Sequence, residues 1–167
     1  RTYLADGDLE SYLLVSAPGG LEWDAGNEKH RELSQDAFTQ FMELKQRRRT
    51  DLVRQYAEIK QAGSAEWVVV GARRTALASA NLHDALVNIP IPGVFEKDPE
   101  QRKAYCDALA PRLQPLRQSA ITAYAYCAMK AEEAGVEDAA AKRCAAEAER
   151  LRGKFAYTGT PGVLGPD

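Results

Sequence analysis

His83 stands directly before Asp84, the pairing a general base with an orienting carboxylate would use. Neighbours on a helix point about 100° apart, however, and no nucleophile stands at a spacing that would bring it to the imidazole. A core or capping histidine is the simpler reading. Asp6, Asp8 and Glu10 resemble the opening of a calcium loop, but the remaining ligands are missing, so helix capping is their expected role. Three cysteines and two histidines form no CxxC, HExxH or Cys/His cluster, and no phosphate-binding glycine loop is present. The expectation is a protein that is not an enzyme and takes no metal or cofactor.

The thiols carry a more specific signal. Ala120, Tyr124, Cys127 and Ala131 share one helical face, and Ala141, Cys144, Ala148 and Leu151 share another after a turn at Gly135. Helices joined this tightly lie antiparallel, which brings Cys127 opposite Cys144. A bridge there would stabilise by about 3 kcal/mol and would place the chain in an oxidising compartment such as a bacterial periplasm. The alternative is two reduced, buried thiols acting as small apolar residues. Cys106 is expected to stay unpaired.

Arg47, Arg48 and Arg49 are the sharpest charge feature. Arg48 falls on an apolar stripe, which suits either an anion or acidic-peptide contact or a solvated, protruding stretch with a Glu43–Arg47 pair. Arg73 and Arg74 sit among small residues, where charge needs a partner, and are candidates for lining a binding groove. Asn81, Asn88 and Tyr126 complete the candidate contact set, with Tyr124 as the buried counterpart of Tyr126. Trp23 and Trp67 read as packing anchors.

The elements that must position these residues are helical. Thr2 to Val15 has a helical pattern that Asp6, Gly7 and Asp8 could divide, with Asp8 as a new cap. Ala17–Gly20 breaks the chain, and a loop carrying Trp23 follows to Gly26. Leu33, Ala37, Phe41, Leu44, Leu52, Tyr56 and Ile59 then share one long stripe, predicting a helix from Glu28 to Ala62. After Gly63 and Ser64 a helix rich in small residues runs to Asn88, antiparallel to the one before, its small residues admitting neighbours on both sides. The prolines of 89–93 force an apolar loop, Asp98 and Pro99 restart the helix, and a kink or break is expected near Pro111. Beyond Leu151 the Gly- and Pro-rich tail, 153–167, is irregular and expected to dock.

With 167 residues, a net charge of −2 and a pI near 5.8, the chain has no global basic field, which argues against nucleic acid. No stretch reaches the roughly 20 apolar residues of a membrane span. The chain opens at Arg1 rather than a methionine, which leaves room for a leader or further domains upstream.

LVRQYAEI around Tyr56 and AITAYAYC around Tyr124 echo each other, each followed by a glycine stop and a new helix. Their separation is twice the period of about 34 residues of a tetratricopeptide repeat. Together with GSAEW at Gly63–Trp67, NLHDALVNIPIPG at Asn81–Gly93 and PLRQSAITAYAYC at Pro115–Cys127, they make residues 52–151 resemble the tetratricopeptide-type proteins of deltaproteobacterial (myxobacterial) envelope machinery. The resemblance implies stacked antiparallel helix pairs and a protein-binding role, as in gliding-motility complexes of the periplasm or outer membrane. The proline loop, the very long helix and the missing Trp, Leu, Gly, Tyr series depart from the ordinary repeat.

The sequence therefore predicts an all-α, tetratricopeptide-like solenoid fragment spanning 1–167 as one repeat domain. Its expected function is a non-catalytic scaffold for a protein or peptide partner, in a bacterial envelope or alternatively the cytoplasm. The rival expectation is a small-molecule-binding or regulatory bundle with an apolar pocket under the proline loop.

Overall fold

The structure, a computed structural model, describes residues 2–23, 26–137 and 139–153, without the side chains of Thr2, Tyr3 and Ala62. Among these residues are six helices and no strand: α1 (Thr2–Leu13), α2 (Glu28–Ala62), α3 (Ala65–Val87), α4 (Gly93–Glu96), α5 (Pro99–Glu133) and α6 (Ala139–Arg152). Local chemistry sets most of the boundaries. The Asn27 side chain accepts the His30 N–H at 3.3 Å to start α2, and Asp98 accepts the Glu100 N–H at 2.9 Å to start α5, with Pro99 in its first turn. At the end of α5, Gly135 adopts φ +65°. Its N–H donates to the Glu132 carbonyl at 3.1 Å and that of Val136 to the Ala131 carbonyl at 2.9 Å, a two-bond closure that satisfies carbonyls the helix would leave open.

Successive long helices pack antiparallel. Lys60 lies against Gly71 while Lys45 meets Asn81, which fixes the sense of α2 against α3. Val69 is near Cys127, and Leu82 and Leu86 share a cluster with Leu113, which does the same for α3 and α5. Cys127 and Cys144 are joined by a disulfide with their Cα atoms 5.9 Å apart, tying α5 to α6, while Cys106 is free. α1 lies antiparallel to α2, held by a Gln55–Asp8 hydrogen bond at 2.9 Å and by the Tyr56 hydroxyl, which donates to the Ala5 carbonyl at 3.0 Å.

α3 is the central element and touches α1, α2, α5 and α6. Its Gly71, Ala72, Ala76, Ala78, Ser79 and Ala80 are all buried, and their size lets backbones approach on several sides. Three apolar clusters result. One joins α3, α5 and α6 around Ala76, Tyr124 and the disulfide; one joins α2, α3 and α5 around Phe41, Leu82 and Leu113; one joins α1, α2 and α3 around Tyr12, Tyr56 and Ala78. Ile89 and Ile91 of the proline loop are buried in the second cluster.

Several sequence expectations need correction. α1 is not divided at Gly7, and Asp6 and Asp8 do not cap a helix. They lie within it and reach across to α2 and α3, tertiary contacts that offset the cost of about 1 kcal/mol for a glycine inside a helix. α5 runs unbroken through Pro111 and Pro115. These prolines cannot donate to the carbonyls of Asp107 and Pro111, but Asp107, Pro111 and Pro115 are all exposed, so water can satisfy what the helix loses. Leu33 is 58% exposed, and Ser34 is buried in its place, accepting the Glu22 N–H at 2.8 Å. The tail expected to dock lies outside the described residues, apart from Gly153.

Candidate functional site

The small residues of α3 also shape a surface. Ala72, Thr75 and Ser79, spaced three and four apart, form the floor of an open groove of about 570 Å³. Arg49, Val53 and Lys60 of α2 make one wall; Pro115, Ser119, Thr122 and Tyr126 of α5 belong to the other. The Thr75 hydroxyl donates to the Gly71 carbonyl at 2.9 Å and that of the buried Ser79 to the Thr75 carbonyl at 3.1 Å, so the partly exposed Thr75 oxygen keeps acceptor capacity.

A second open depression of about 570 Å³, lined by Gln61, Val68, Lys130 and Glu133 among others, meets the first at Lys60 and Tyr126. The Lys60 ammonium lies 5.4 Å and the Lys130 ammonium 5.6 Å from the centre of the Tyr126 ring. Gly71 eases this arrangement: a Cβ there would lie 3.0 Å from the Lys60 Cγ, and the lysine stem would have to shift by a few tenths of an ångström to keep its place against α3. Burial pushes the Lys60 amine below its ordinary pKa. Lys130 is paired with Glu133 at 2.6 Å, and that hydrogen bond raises its pKa. Tyr126 and Val53 remain 38% and 37% exposed.

The other candidate contact residues do not converge on this groove. Arg74 faces α1, where its Nε lies 2.6 Å and its Nη2 2.7 Å from the two carboxylate oxygens of Asp6, which also accepts the Tyr56 hydroxyl at 2.8 Å. Arg73 is half-buried near Tyr124, with its Nε buried and without a hydrogen-bond partner. The Asn81 carbonyl oxygen accepts from Lys45 inside the α2–α3 interface, and Asn88 turns back to cap α3, its side-chain amide donating to the Asp84 carbonyl at 2.8 Å. Of the five candidate contacts, only Tyr126 lines the groove.

Two residues outside the candidate set resolve the arginine question. The Lys45 side chain is fully buried, with its ammonium 2.8 Å from the Tyr12 carbonyl, 2.5 Å from Asn81 Oδ1 and 4.1 Å from the centre of the Tyr12 ring. Arg48 Nη1 donates to the Ser11 carbonyl at 3.2 Å. Both cations therefore sit on the last carbonyls of α1, the negative end of its dipole. Arg48 is a helix cap, while Arg49, one residue on, faces the groove. The signal that could have found Lys45 was its spacing: it stands four residues after Phe41 and seven before Leu52, both buried.

The His83 ring is buried, with Nδ1 2.9 Å from an Asp84 oxygen. Trp23 packs edge-on against Phe38, whereas Trp67 is 44% exposed beside the α2–α3 turn. Among the described residues no group of His, Cys, Asp or Glu is placed to hold a metal ion, and no helix is long and apolar enough to cross a membrane. Comparison with protein-family models, curated proteins and solved structures finds no match to this chain.

Proposed function

We propose that this chain is a non-catalytic protein-interaction scaffold that receives a partner segment in the groove between α2 and α5. The observation that carries the reading is the groove itself: a floor of small side chains, two helical walls, and an exposed tyrosine at its midpoint. An exposed Tyr in a concave surface supplies contact area at low conformational cost, a common property of binding hot spots. The burial of His83 against Asp84 supports a non-catalytic role, because the imidazole is out of reach of a substrate.

The tetratricopeptide-like reading is part of the same proposal. It is supported by the antiparallel order of α2, α3, α5 and α6 and by the buried tyrosines Tyr56 and Tyr124 in equivalent sequence settings. A place in a bacterial envelope complex, such as motility machinery, is supported by the Cys127–Cys144 bridge, which suits an oxidising compartment. Against a ligand pocket beneath the proline loop stands the burial of Ile89 and Ile91, which pack into the second apolar cluster.

The test is to fill the groove. Thr75→Trp should block the floor, so capture of partners from the native organism with wild-type and T75W protein should differ by a defined protein. The reading fails if T75W captures the same proteins as wild type while retaining its helical content.

A further inference from the structure

We propose that the groove between α2 and α5 binds an acidic peptide segment in extended form, its carboxylates meeting Arg49 and Lys60 and its backbone crossing the Tyr126 ring. The inference rests on the groove reading above and adds the chemistry of the occupant.

Charge segregation identifies that occupant. The whole chain carries −2, yet the two connected depressions hold Arg49, Lys60 and Lys130 against the single lining carboxylate of Glu133. Glu133 is already committed to Lys130. Among the described residues no Asp or Glu forms an ion pair with Arg49 or Lys60. Arginine at this position can take a carboxylate through two parallel bonds. Lys60 is half-buried, its ammonium is already partly stripped of water, and a carboxylate would replace the lost hydration. This is a site short of negative charge on a protein with an excess of it, which favours an acidic partner electrostatically.

Shape limits the form. The lining along α5 extends from Pro115 to Glu133, about 27 Å at the helical rise. That length fits roughly eight or nine residues of extended chain. The partly exposed Thr75 hydroxyl on the floor can accept a backbone N–H group, and the small, buried Ala72 and Ser79 beside it keep the floor low.

The experiment is fluorescence anisotropy on the full chain with three labelled nine-residue peptides of matched length: one rich in Asp and Glu, its Asn/Gln counterpart and its Lys counterpart. The acidic peptide should bind at least about tenfold more tightly than the other two and weaken as salt rises. R49Q and K60Q should each weaken it by about fivefold or more, whereas R47Q, outside the groove, should leave it within about twofold. T75W should abolish binding without contributing any charge change. Circular dichroism on each variant separates lost binding from lost structure.

Equal affinity for the Asn/Gln peptide would overturn the acidic assignment and leave the groove reading standing. Loss of binding in R47Q but not in R49Q or K60Q would overturn it in favour of the exposed arginine cluster. Displacement of the acidic peptide by a lower concentration of a single-stranded oligonucleotide would overturn it in favour of nucleic acid. Failure of all three peptides to bind would also overturn it, while partner capture that is sensitive to T75W would still uphold the scaffold.

Discussion

Lys45 and Asn81 meet across the α2–α3 interface, ammonium to amide oxygen at 2.5 Å, where no carboxylate forms an ion pair with the lysine among the described residues. The amine is held by neutral acceptors, the Tyr12 carbonyl and Asn81, and by the face of the Tyr12 ring. Replacing Lys45 by methionine should cost about 1–3 kcal/mol, because Asn81 Oδ1 and the end of α1 lose their donor. Pairing Lys45→Met with Asn81→Leu should recover part of that loss, since an apolar pair leaves no orphaned oxygen from Asn81. Urea unfolding of the four proteins measures this. A double mutant less stable than the two single losses combined would contradict the pairing.

Stability should respond to alkaline pH with a definite sign. Burial first, and then the neighbouring Arg48, lower the Lys45 pKa from 10.5 to about 8. Between pH 8 and 10.5 the unfolded chain therefore holds more protons on this group than the folded chain, so its contribution to stability rises with pH across that window. Burial raises Tyr12 and Tyr124 from 10.0 to about 12, and Tyr56 also rises, so these groups make stability fall from pH 10 upward. Thermal midpoints of a Cys106→Ser background should climb above pH 8 and turn down beyond about pH 10. Lys45→Met should reduce the climb and preserve the fall; an unchanged climb would show that Lys45 keeps an ordinary pKa.

Arg74 should behave as a structural residue. Its bidentate pair with Asp6 ties α3 to α1, and the two side chains are only 22% and 28% exposed. Arg74→Glu should destabilise by about 2–4 kcal/mol, because it sets two carboxylates against each other in a partly buried site. Arg47→Glu, on the exposed face of α2, should stay within about 0.5 kcal/mol. Equal thermal midpoints for the two variants would mean that the α1–α3 pair contributes nothing.

The disulfide closes a separation of 17 residues, which should be worth about 3 kcal/mol relative to the Cys127→Ser/Cys144→Ser double variant. Both cysteines are fully buried, so after treatment with a mild reductant a thiol-specific reagent should count a single thiol, Cys106, until denaturant opens the protein. Three thiols titrating in the native state would show that α6 lifts away from α5 readily.

Substituting Gly135 by alanine should cost about 1–2 kcal/mol, since φ +65° forces a side chain into left-handed backbone. Alanine at Gly7, which lies inside α1 and would meet nothing within 4 Å, should be neutral or stabilising. Equal midpoints for the two variants would remove the special status of the α5–α6 turn.

The sequence made the long helices legible because apolar spacing, Asn27, Asp98 and the Gly63–Ser64 break are local signals. The same locality explains where reading stopped. Pro111 and Pro115 look like a break until their solvent-facing positions are known, and Gly7 looks like a division until Asp6 and Asp8 are seen to reach α2 and α3. Lys45 escaped because a hydropathy pattern assigns lysine to the surface, and its burial depends on the end of α1 arriving from 33 residues away. At the groove, Tyr126 was legible as an exposed ring on a helix face. Arg49, Lys60 and the floor at Thr75 were not, because the groove forms only when three helices far apart in sequence come together.

The place of α3 in all three apolar clusters has a consequence for how the chain opens. Neither the α1–α2 side nor the α5–α6 side can keep its apolar residues covered once α3 melts, so the five longer helices should exchange their amide hydrogens as one cooperative unit, slowest around Ala76 and Ala78. The short α4 has no buried residue of its own and stands outside that unit, free to exchange by local opening. The floor of the groove therefore belongs to the most protected part of the chain, and a partner would meet a surface already set in place rather than one that must first be ordered.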